Sequence, residues 1–366
     1  MDGSYFFAAE RGKRGRLQRL TSLADESYAE FCEGARNFVL GTYFRAAVAP
    51  KAMEATAKAG IPAAVPITDG EKVANVIDQV PAAQLGKRLM RSQQQMTWRN
   101  VQQSFYRRKE ELLAELDAAE RAHPERIVYD KDFKVPAWAA HEIHLQPGGY
   151  VDDPLAGYVY HYGTKVFFRG GNDQDDIHES SVAMLPVPKD GKVKRILDLG
   201  CSIGQFATAL KDRFPEADVT AIDVGLPMIR YAHKRALDMG REVTFMQRLA
   251  EESGLPDGQF DLITAHIIFH EMPPEITKRV VEEAMRMLRP GGIFAVIDFP
   301  TKQVVPPISA WFFDFDHRDN GEPHSIPFIM CNFAQMLKDA GFDVVDGPSP
   351  AFGFLETRFC TKPDAA

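Results

Sequence analysis

Ile196-Leu197-Asp198-Leu199-Gly200-Cys201-Ser202-Ile203-Gly204 decides how the rest of the chain is read. An apolar run carries an acid, a turn of small residues follows, and a helix begins at once. Glycine lets a backbone approach a bound molecule closely and take up angles that other residues resist. A strand that hands over to a helix N-terminus in this way puts the turn at the carboxyl edge of a sheet, where open α/β proteins bind ligands. Working outward, the pattern alternates. Strands are expected at Arg195–Leu199, Val219–Ile222, Val243–Met246, Phe260–Thr264 and Ile293–Asp298, with helices at Gln205–Arg213, Pro227–Met239 and Pro274–Leu288. Pro227 and Pro274 suit first-turn positions, and Gly240 suits a helix end. This order predicts an α/β fold with a mostly parallel sheet covered by helices on both faces.

Three chemistries compete for the turn. A dinucleotide GxGxxG spacing would need glycine at Gln205. The run Gly200-Cys201-Ser202-Ile203-Gly204 fits the G-x-S-x-G elbow of α/β-hydrolases, with Ser202 as nucleophile, but the upstream pairs Gly148-Gly149 and Gly170-Gly171 lack the HGGG oxyanion signature. The third reading accounts for more. Asp198 to Gly204 resembles the D-x-G-x-G-x-G motif of the class I S-adenosylmethionine (SAM)-dependent methyltransferases, with Ser202 in place of the middle glycine. Asp223-Val224-Gly225-Leu226-Pro227-Met228 resembles that superfamily's motif after the second strand. Pro256-Asp257-Gly258-Gln259-Phe260-Asp261 and Leu288-Arg289-Pro290-Gly291-Gly292 resemble the approaches to its fourth and fifth strands. The likeness runs from about Lys194 to Phe299 and is nearest to the small-molecule group that includes ubiquinone-type methyltransferases.

The resemblance implies a Rossmann-like sheet of seven strands whose last strand, near Glu356–Cys360, is antiparallel. Asn332 with Gln335 then starts the last helix and Gly341 ends it. It implies SAM as cofactor, with Gly200, Ser202 and Gly204 bordering its methionine part and Asp198 near its ammonium group. Asp223 with Val224 would hold the ribose, Arg248, Leu249 and Ala250 would lie beside the adenine, and His266 would face the cofactor. Leu249 stands where many relatives carry an acid. The function implied is methyl transfer to a small, apolar or aromatic acceptor, with O- or C-methylation favoured. The alternatives are a SAM-binding enzyme that does not methylate and a non-catalytic SAM-binding protein.

Methyl transfer needs alignment of acceptor and methyl group, and sometimes removal of a proton. His270, in His266-Ile267-Ile268-Phe269-His270-Glu271-Met272, is the candidate base because histidine titrates near neutral pH. His317 closes the run Trp311-Phe312-Phe313-Asp314-Phe315-Asp316-His317, which is expected to line the acceptor slot. Tyr160, with Tyr158, His161 or Tyr162, is expected to touch SAM or the acceptor. His141, His144, Asp314, Asp316 and His317 invite a metal reading, but neither HExxH nor a cysteine partner accompanies them, so no metal is expected.

The remaining chain reads as an appendage to this unit. Its 366 residues suit two domains, here a helical region over 1–135, a connecting lid over 136–190, and the SAM-binding domain over 191–366. Helices are expected over 21–60 and 85–122, joined by a Pro- and Gly-rich connection over 60–81. Aromatic and β-branched residues over 157–168 suggest short strands between glycine turns, and the polar stretch Asn172 to Ser181 suggests an exposed loop. A formal net charge of −8 argues against a nucleic-acid partner. The basic cluster from Lys87 to Lys109 runs straight into Glu110, Glu111, Glu115 and Asp117, as a solvated helix face does. Cys32, Cys201, Cys331 and Cys360 form no CxxC pair, which points to a reducing cytoplasm. No signal peptide is read at the start, where Arg11, Lys13, Arg14 and Arg16 follow rather than precede apolar residues. No membrane partner is expected, and a homodimer through the N-terminal helices is.

Overall fold

The computed structural model describes residues 16–301, 304–350 and 355–364. Arg11, Lys13 and Arg14 lie outside the described residues. Helix α1 (Leu23–Asn37) opens on a reciprocal capping box between Ser22 and Asp25. It runs on through a π-helical stretch, Phe38–Val48, into α2 (Ala49–Lys58). The expected connection over 60–81 is not structureless: it holds β1 (Val65–Pro66) and α3 (Gly70–Ile77), whose Val73, Ala74 and Ile77 are buried. The single helix expected over 85–122 is two, α4 (Pro81–Tyr106) and α5 (Lys109–Ala122), because the backbone leaves helical geometry at Arg108 (φ −119°, ψ 22°). Trp98, Val101, Phe105, Leu112 and Leu116 form their buried seam.

After β2 (Ile127–Val128) the structure corrects the sequence reading twice. The residues expected as strands form helix α6 (Ala156–Phe167), and the expected exposed loop contains helix α7 (Asp176–Ala183). Helix α6 is buried on nearly every side, and its tyrosines and valines are residues that strands favour. Its glycines allow this. A Cβ on Gly157 would stand 2.3 Å from Tyr231 Cβ, and one on Gly163 would stand 1.9 Å from the Trp98 ring. The polar stretch is half-buried, with Gln174, Asp176 and Glu179 exposed, and its enclosed acid is neutralised: Asp175, with no exposure, pairs with Arg235 and with Arg16 (2.8 Å) and accepts from Gln205 Nε2 (2.6 Å).

The alternating half follows. Its elements are β3 (Arg195–Leu199), α8 (Gln205–Arg213), β4 (Asp218–Asp223), α9 (Leu226–Asp238), β5 (Val243–Gln247), β6 (Phe260–His266), α10 (Pro274–Met287) and β7 (Leu288–Asp298). Beyond them lie β8 (Val304–Val305), α11 (Pro307–Asp319), α12 (Ser325–Met330), α13 (Phe333–Asp339), β9 (Asp343–Asp346) and β10 (Glu356–Thr361). Asn332 Oδ1 caps the Gln335 amide of α13, and Gly341 follows that helix at φ 98°. The main sheet runs β2-β5-β4-β3-β6-β7-β10-β9, parallel from β2 to β7, with β10 antiparallel to β7. The expected seven strands are present, and the two-residue β2 adds an eighth at one edge. The chain leaves β3 toward β4 on one side and reaches β6 on the other, which opens a crevice at the carboxyl ends. The antiparallel pair β1–β8 fastens the N-terminal region to the segment after β7.

Gly163→Ala should lower stability by about 1–3 kcal/mol or more, because a methyl group has no room against Trp98. Gly34→Ala, in α1 with open space around it, should instead stabilise by about 0.4–1 kcal/mol. Denaturant unfolding of both variants against the parent checks the pair; equal shifts would contradict the packing of α6.

Candidate active site

One cavity of about 710 Å³ lies over the carboxyl edge of β3, β4, β5 and β6, roofed by the N-terminal helices and α11. Its floor is the turn after β3. Gly200 (φ 63°) could not carry a side chain, since a Cβ would stand 2.6 Å from Ile268 Cδ1. Ser202 holds a left-handed conformation (φ 49°), costly for a residue with a side chain, and its amide donates to Asp223 Oδ2 at 2.8 Å. Asp223 Oδ1 accepts from the Gly225 amide at 2.8 Å. Burial raises the Asp223 carboxyl above its ordinary range, although these amides pull it back. Asp198 Oδ1 accepts from Thr264 Oγ1 at 2.7 Å, while its Oδ2 is buried without a partner. Burial pushes the Asp198 carboxyl up to about 7 against the Thr264 hydrogen bond. Val224, Arg248, Leu249 and Ala250 complete this wall. His266 stacks on Phe206 at 4.7 Å, and burial holds it far below its usual range, hence neutral.

The other end of the cavity is aromatic with a charged patch. Tyr150, Tyr160, Phe167, Phe299, Phe312 and Trp138 line it. Helix α11 divides its residues between two jobs: Trp311 and Phe315 are buried, with Trp311 Nε1 donating to Asp78 at 2.8 Å, while Phe312, Phe313 and Asp316 face the cavity. Asp298, at the end of β7, organises the loop after β6. Its Oδ2 accepts the Ile268 and Phe269 amides at 2.9 and 2.7 Å, and its Oδ1 accepts the Phe299 amide and faces His270 Nδ1, both at 2.7 Å.

The expected site residues come together unevenly. Asp198, Gly200, Ser202, Asp223, Val224, Arg248, Leu249, Ala250, His266, His270 and Tyr160 share the cavity wall. Gly204 (φ 74°) lies behind it as the N-cap of α8. His317 is not brought to the cavity; its Nδ1 meets the Glu322 carbonyl at 2.9 Å, a contact within its own turn. Tyr158, His161 and Tyr162 are committed to packing, with His161 Nδ1 at 2.8 Å from the Tyr231 hydroxyl. His270 does not fit the role of base. Its second nitrogen faces Glu271 at 3.5 Å and its ring stacks on Phe299 at 4.0 Å. Burial would lower its pKa, but the Asp298 carboxylate outweighs that and holds the imidazole protonated. Ser202 has no histidine in hydrogen-bond contact among the described residues, which removes the base an elbow serine requires. Sequence reasoning did not single out Glu271, Glu322 or Tyr150 as site residues, and read His144 as a structural or substrate-facing histidine rather than a metal ligand. The one legible signal was the run His141-Glu142-Ile143-His144 ahead of Pro147-Gly148-Gly149-Tyr150.

Residues 196–292 match the family described as Methyltransferase domain. An uncharacterized methyltransferase of Synechocystis sp. is 31% identical over 202 residues, covering 54% of this chain and 89% of its own length. The chain belongs to the class I SAM-dependent methyltransferases. The demethylmenaquinone methyltransferase of Thermus thermophilus is 37% identical over 107 residues, 29% of this chain and 48% of its own. The chain thus spans about half the length of that relative. An O-methyltransferase family protein of Burkholderia thailandensis superposes with a TM-score of 0.44 at 19% identity, over 56% of this chain and 61% of that one.

SAM is the cofactor of this superfamily, and the methyltransferase cavity fits it on its own terms. An unpartnered, buried Asp198 oxygen is the acceptor that an ammonium group needs. The Gly200 backbone leaves the space that a side chain would fill. Asp223, although held by two amides, keeps lone pairs for ribose hydroxyls. Because the ammonium pairs with the ionised carboxylate, SAM affinity should climb by up to about tenfold per pH unit below about 7 and level off above it. In the free protein the sign is opposite: the raised carboxyl favours the fold below its unfolded pKa, and that contribution is lost as pH rises through about 7. Calorimetry across this range should show the climb in the parent and a flat profile in Asp198→Asn.

Proposed function

We propose that the chain transfers the methyl group of SAM to a small acceptor held in the aromatic half of this cavity, by O- or C-methylation. The observation that carries the reading is continuity: the turn bearing Asp198 and Gly200 and the wall bearing Tyr150, Tyr160 and Phe299 open onto the same space. Asp198 takes the ammonium group and Asp223 the ribose, with Val224, Arg248, Leu249 and Ala250 around the adenine. Gly200 and Ser202 pass the methionine part, and His266 packs beside the cofactor. His270 acts as a positioning residue that fixes the loop through Asp298. The helical region over 1–135 and the segment over 136–190 roof the acceptor and select it, which suits an apolar or aromatic molecule.

The same helices leave Leu23, Tyr28, Phe31 and Phe38 exposed, which supports a homodimer through α1 and the turn after it. Among the described residues no helix is long and apolar enough to cross a membrane. The four cysteines are free, in keeping with a reducing cytoplasm.

Asp223→Ala should weaken SAM binding by about 1.5–3 kcal/mol, the range for hydrogen bonds to a charged group. Calorimetry on the folded variant reads this directly, and unchanged affinity would remove Asp223 from the cofactor site. Release of S-adenosylhomocysteine across a set of phenols, enols and small carboxylic acids tests the activity. Turnover without that product would favour a non-methylating enzyme, and binding without any turnover a non-catalytic protein.

A further inference from the structure

Two carboxylates and one imidazole meet at the cavity wall without satisfying one another. His144 sits in a tight turn, Ile143–Leu145, at φ 55°, with Leu145 next to it at φ 59°. Two successive non-glycine residues in the left-handed region persist only where the surroundings impose them. Here the His144 carbonyl accepts from Trp98 Nε1 and Gln94 Nε2, both at 2.6 Å, and Gln94 Nε2 also donates to Asn320 Oδ1. That one amide ties the turn to the segment Asn320-Gly321-Glu322. Gly321 (φ 75°) permits the approach, since a Cβ there would stand 2.6 Å from the Glu142 carbonyl oxygen. Glu271 arrives from a third segment, the short turn Phe269–Glu271, which Asp298 holds through the Ile268 and Phe269 amides.

His144 Nδ1 lies 2.5 Å from Glu322 Oε1, yet neither atom is in a hydrogen bond, so the two are close without being aligned. Glu322 Oε2 and Glu271 Oε2 are also buried and unpartnered, and Glu322 has no exposure at all. One donor atom each from His144, Glu271 and Glu322 lies within 4.8 Å of the other two. Donors packed side by side with their lone pairs unused are arranged around a shared point rather than bonded to one another. A buried carboxylate in that state is costly unless a cation meets it. We propose that His144, Glu271 and Glu322 bind one divalent transition-metal ion in the cavity wall. Two carboxylates balance its charge, and the imidazole favours a first-row transition metal over magnesium or calcium, which take oxygen donors. Three protein ligands leave the ion open positions. His144 and Glu271 line the cavity and Glu322 lies behind them, so those positions face the cavity. The site does not depend on the methyl-transfer reading. Under that reading, an open position takes an oxygen of the acceptor, which the ion polarises.

The simpler account is an ion triad, with a protonated His144 between the two carboxylates. That triad would place a hydrogen bond at each nitrogen. Nδ1 makes none, and Nε2 lies 3.8 Å from Glu271 Oε1, beyond hydrogen-bond reach. Glu271 Oε1 is nearer to His270 Nε2, at 3.5 Å, which leaves Oε2 for the ion. No metal is expected from the sequence because the three ligands come from distant segments and share no motif. Of the pair His141 and His144, the fold brings only the second into the cluster.

The test uses the full chain, stripped of metal with EDTA, and Co²⁺ as the probe, whose visible bands report its ligands. One Co²⁺ per chain should bind saturably, and azide should shift the bands by entering an open position. Glu322→Gln and His144→Ala should each weaken Co²⁺ binding by at least ~100-fold, beyond the ~10–100-fold cost of altering an outer-shell partner. Both variants should still bind S-adenosylhomocysteine, which shows that they fold. His123→Ala, at an exposed histidine, should leave Co²⁺ binding unchanged. Where a variant does not fold, anomalous scattering from parent crystals soaked in Co²⁺ decides by itself, with a peak expected among His144, Glu271 and Glu322. No saturable binding, binding kept in both variants, bands indifferent to azide, displacement by equimolar Mg²⁺, or a peak only elsewhere would overturn the proposal. Failure of the parent to bind S-adenosylhomocysteine is a separate result by calorimetry; it would bring down the methyl-transfer reading and leave the metal site standing.

Discussion

Helix α6 can come no closer to its neighbours than it does, and the rest of the molecule is arranged around that contact. Gly163 admits the Trp98 ring from α4 on one side, and Gly157 admits Tyr231 from α9 on the other. A single helix thus joins the N-terminal region to the sheet half by direct backbone approach, where packing is least tolerant of added volume. The same Trp98 donates its indole N–H to the His144 carbonyl, so the packing contact also sets a cavity residue. Tyr160, Thr164 and Phe167, on the remaining face of α6, reach the cavity. Without this docking the turn after β3 would lie open to solvent, and the electrostatics inside would weaken accordingly.

Charge inside the cavity is organised in pairs with different tasks. At the turn after β3, Asp198 and Asp223 are buried carboxylates with few cationic neighbours, a costly state that a cationic, hydroxyl-rich ligand relieves. At the end of β7, Asp298 satisfies three amides and one imidazole, and so stiffens the loop that carries His270 and Glu271. Glu322, with no exposure, forms an ion pair with His144. Histidines in one cavity therefore differ in kind. His266 is held neutral by burial, whereas His270 and His144 each lie between two carboxylates that raise their pKa. Chemistry assigned from the presence of a histidine alone would not separate them.

The sequence by itself determined the alternating half. Strands there are short apolar runs, α9 and α10 begin at prolines, α8 follows Gly204 and α9 is followed by Gly240, and these signals are local. Gln205–Arg213 and Arg195–Leu199 come out as read, and the carboxylates Asp198 and Asp223 reach the cavity because a strand end has only one place to be in such a sheet. Tertiary structure alone decided the region before it. Helix α6 looks like strand because its residues are aromatic and β-branched and nearly every side of it is buried, and Asn172 to Ser181 looks like loop because the partners of Asp175, Arg16 and Arg235, are 159 and 60 residues away. His144 and Glu322 are separated by about half of the chain and carry no shared motif. Their meeting depends on a strained turn, and its strain is balanced only by the folded neighbours that hold it.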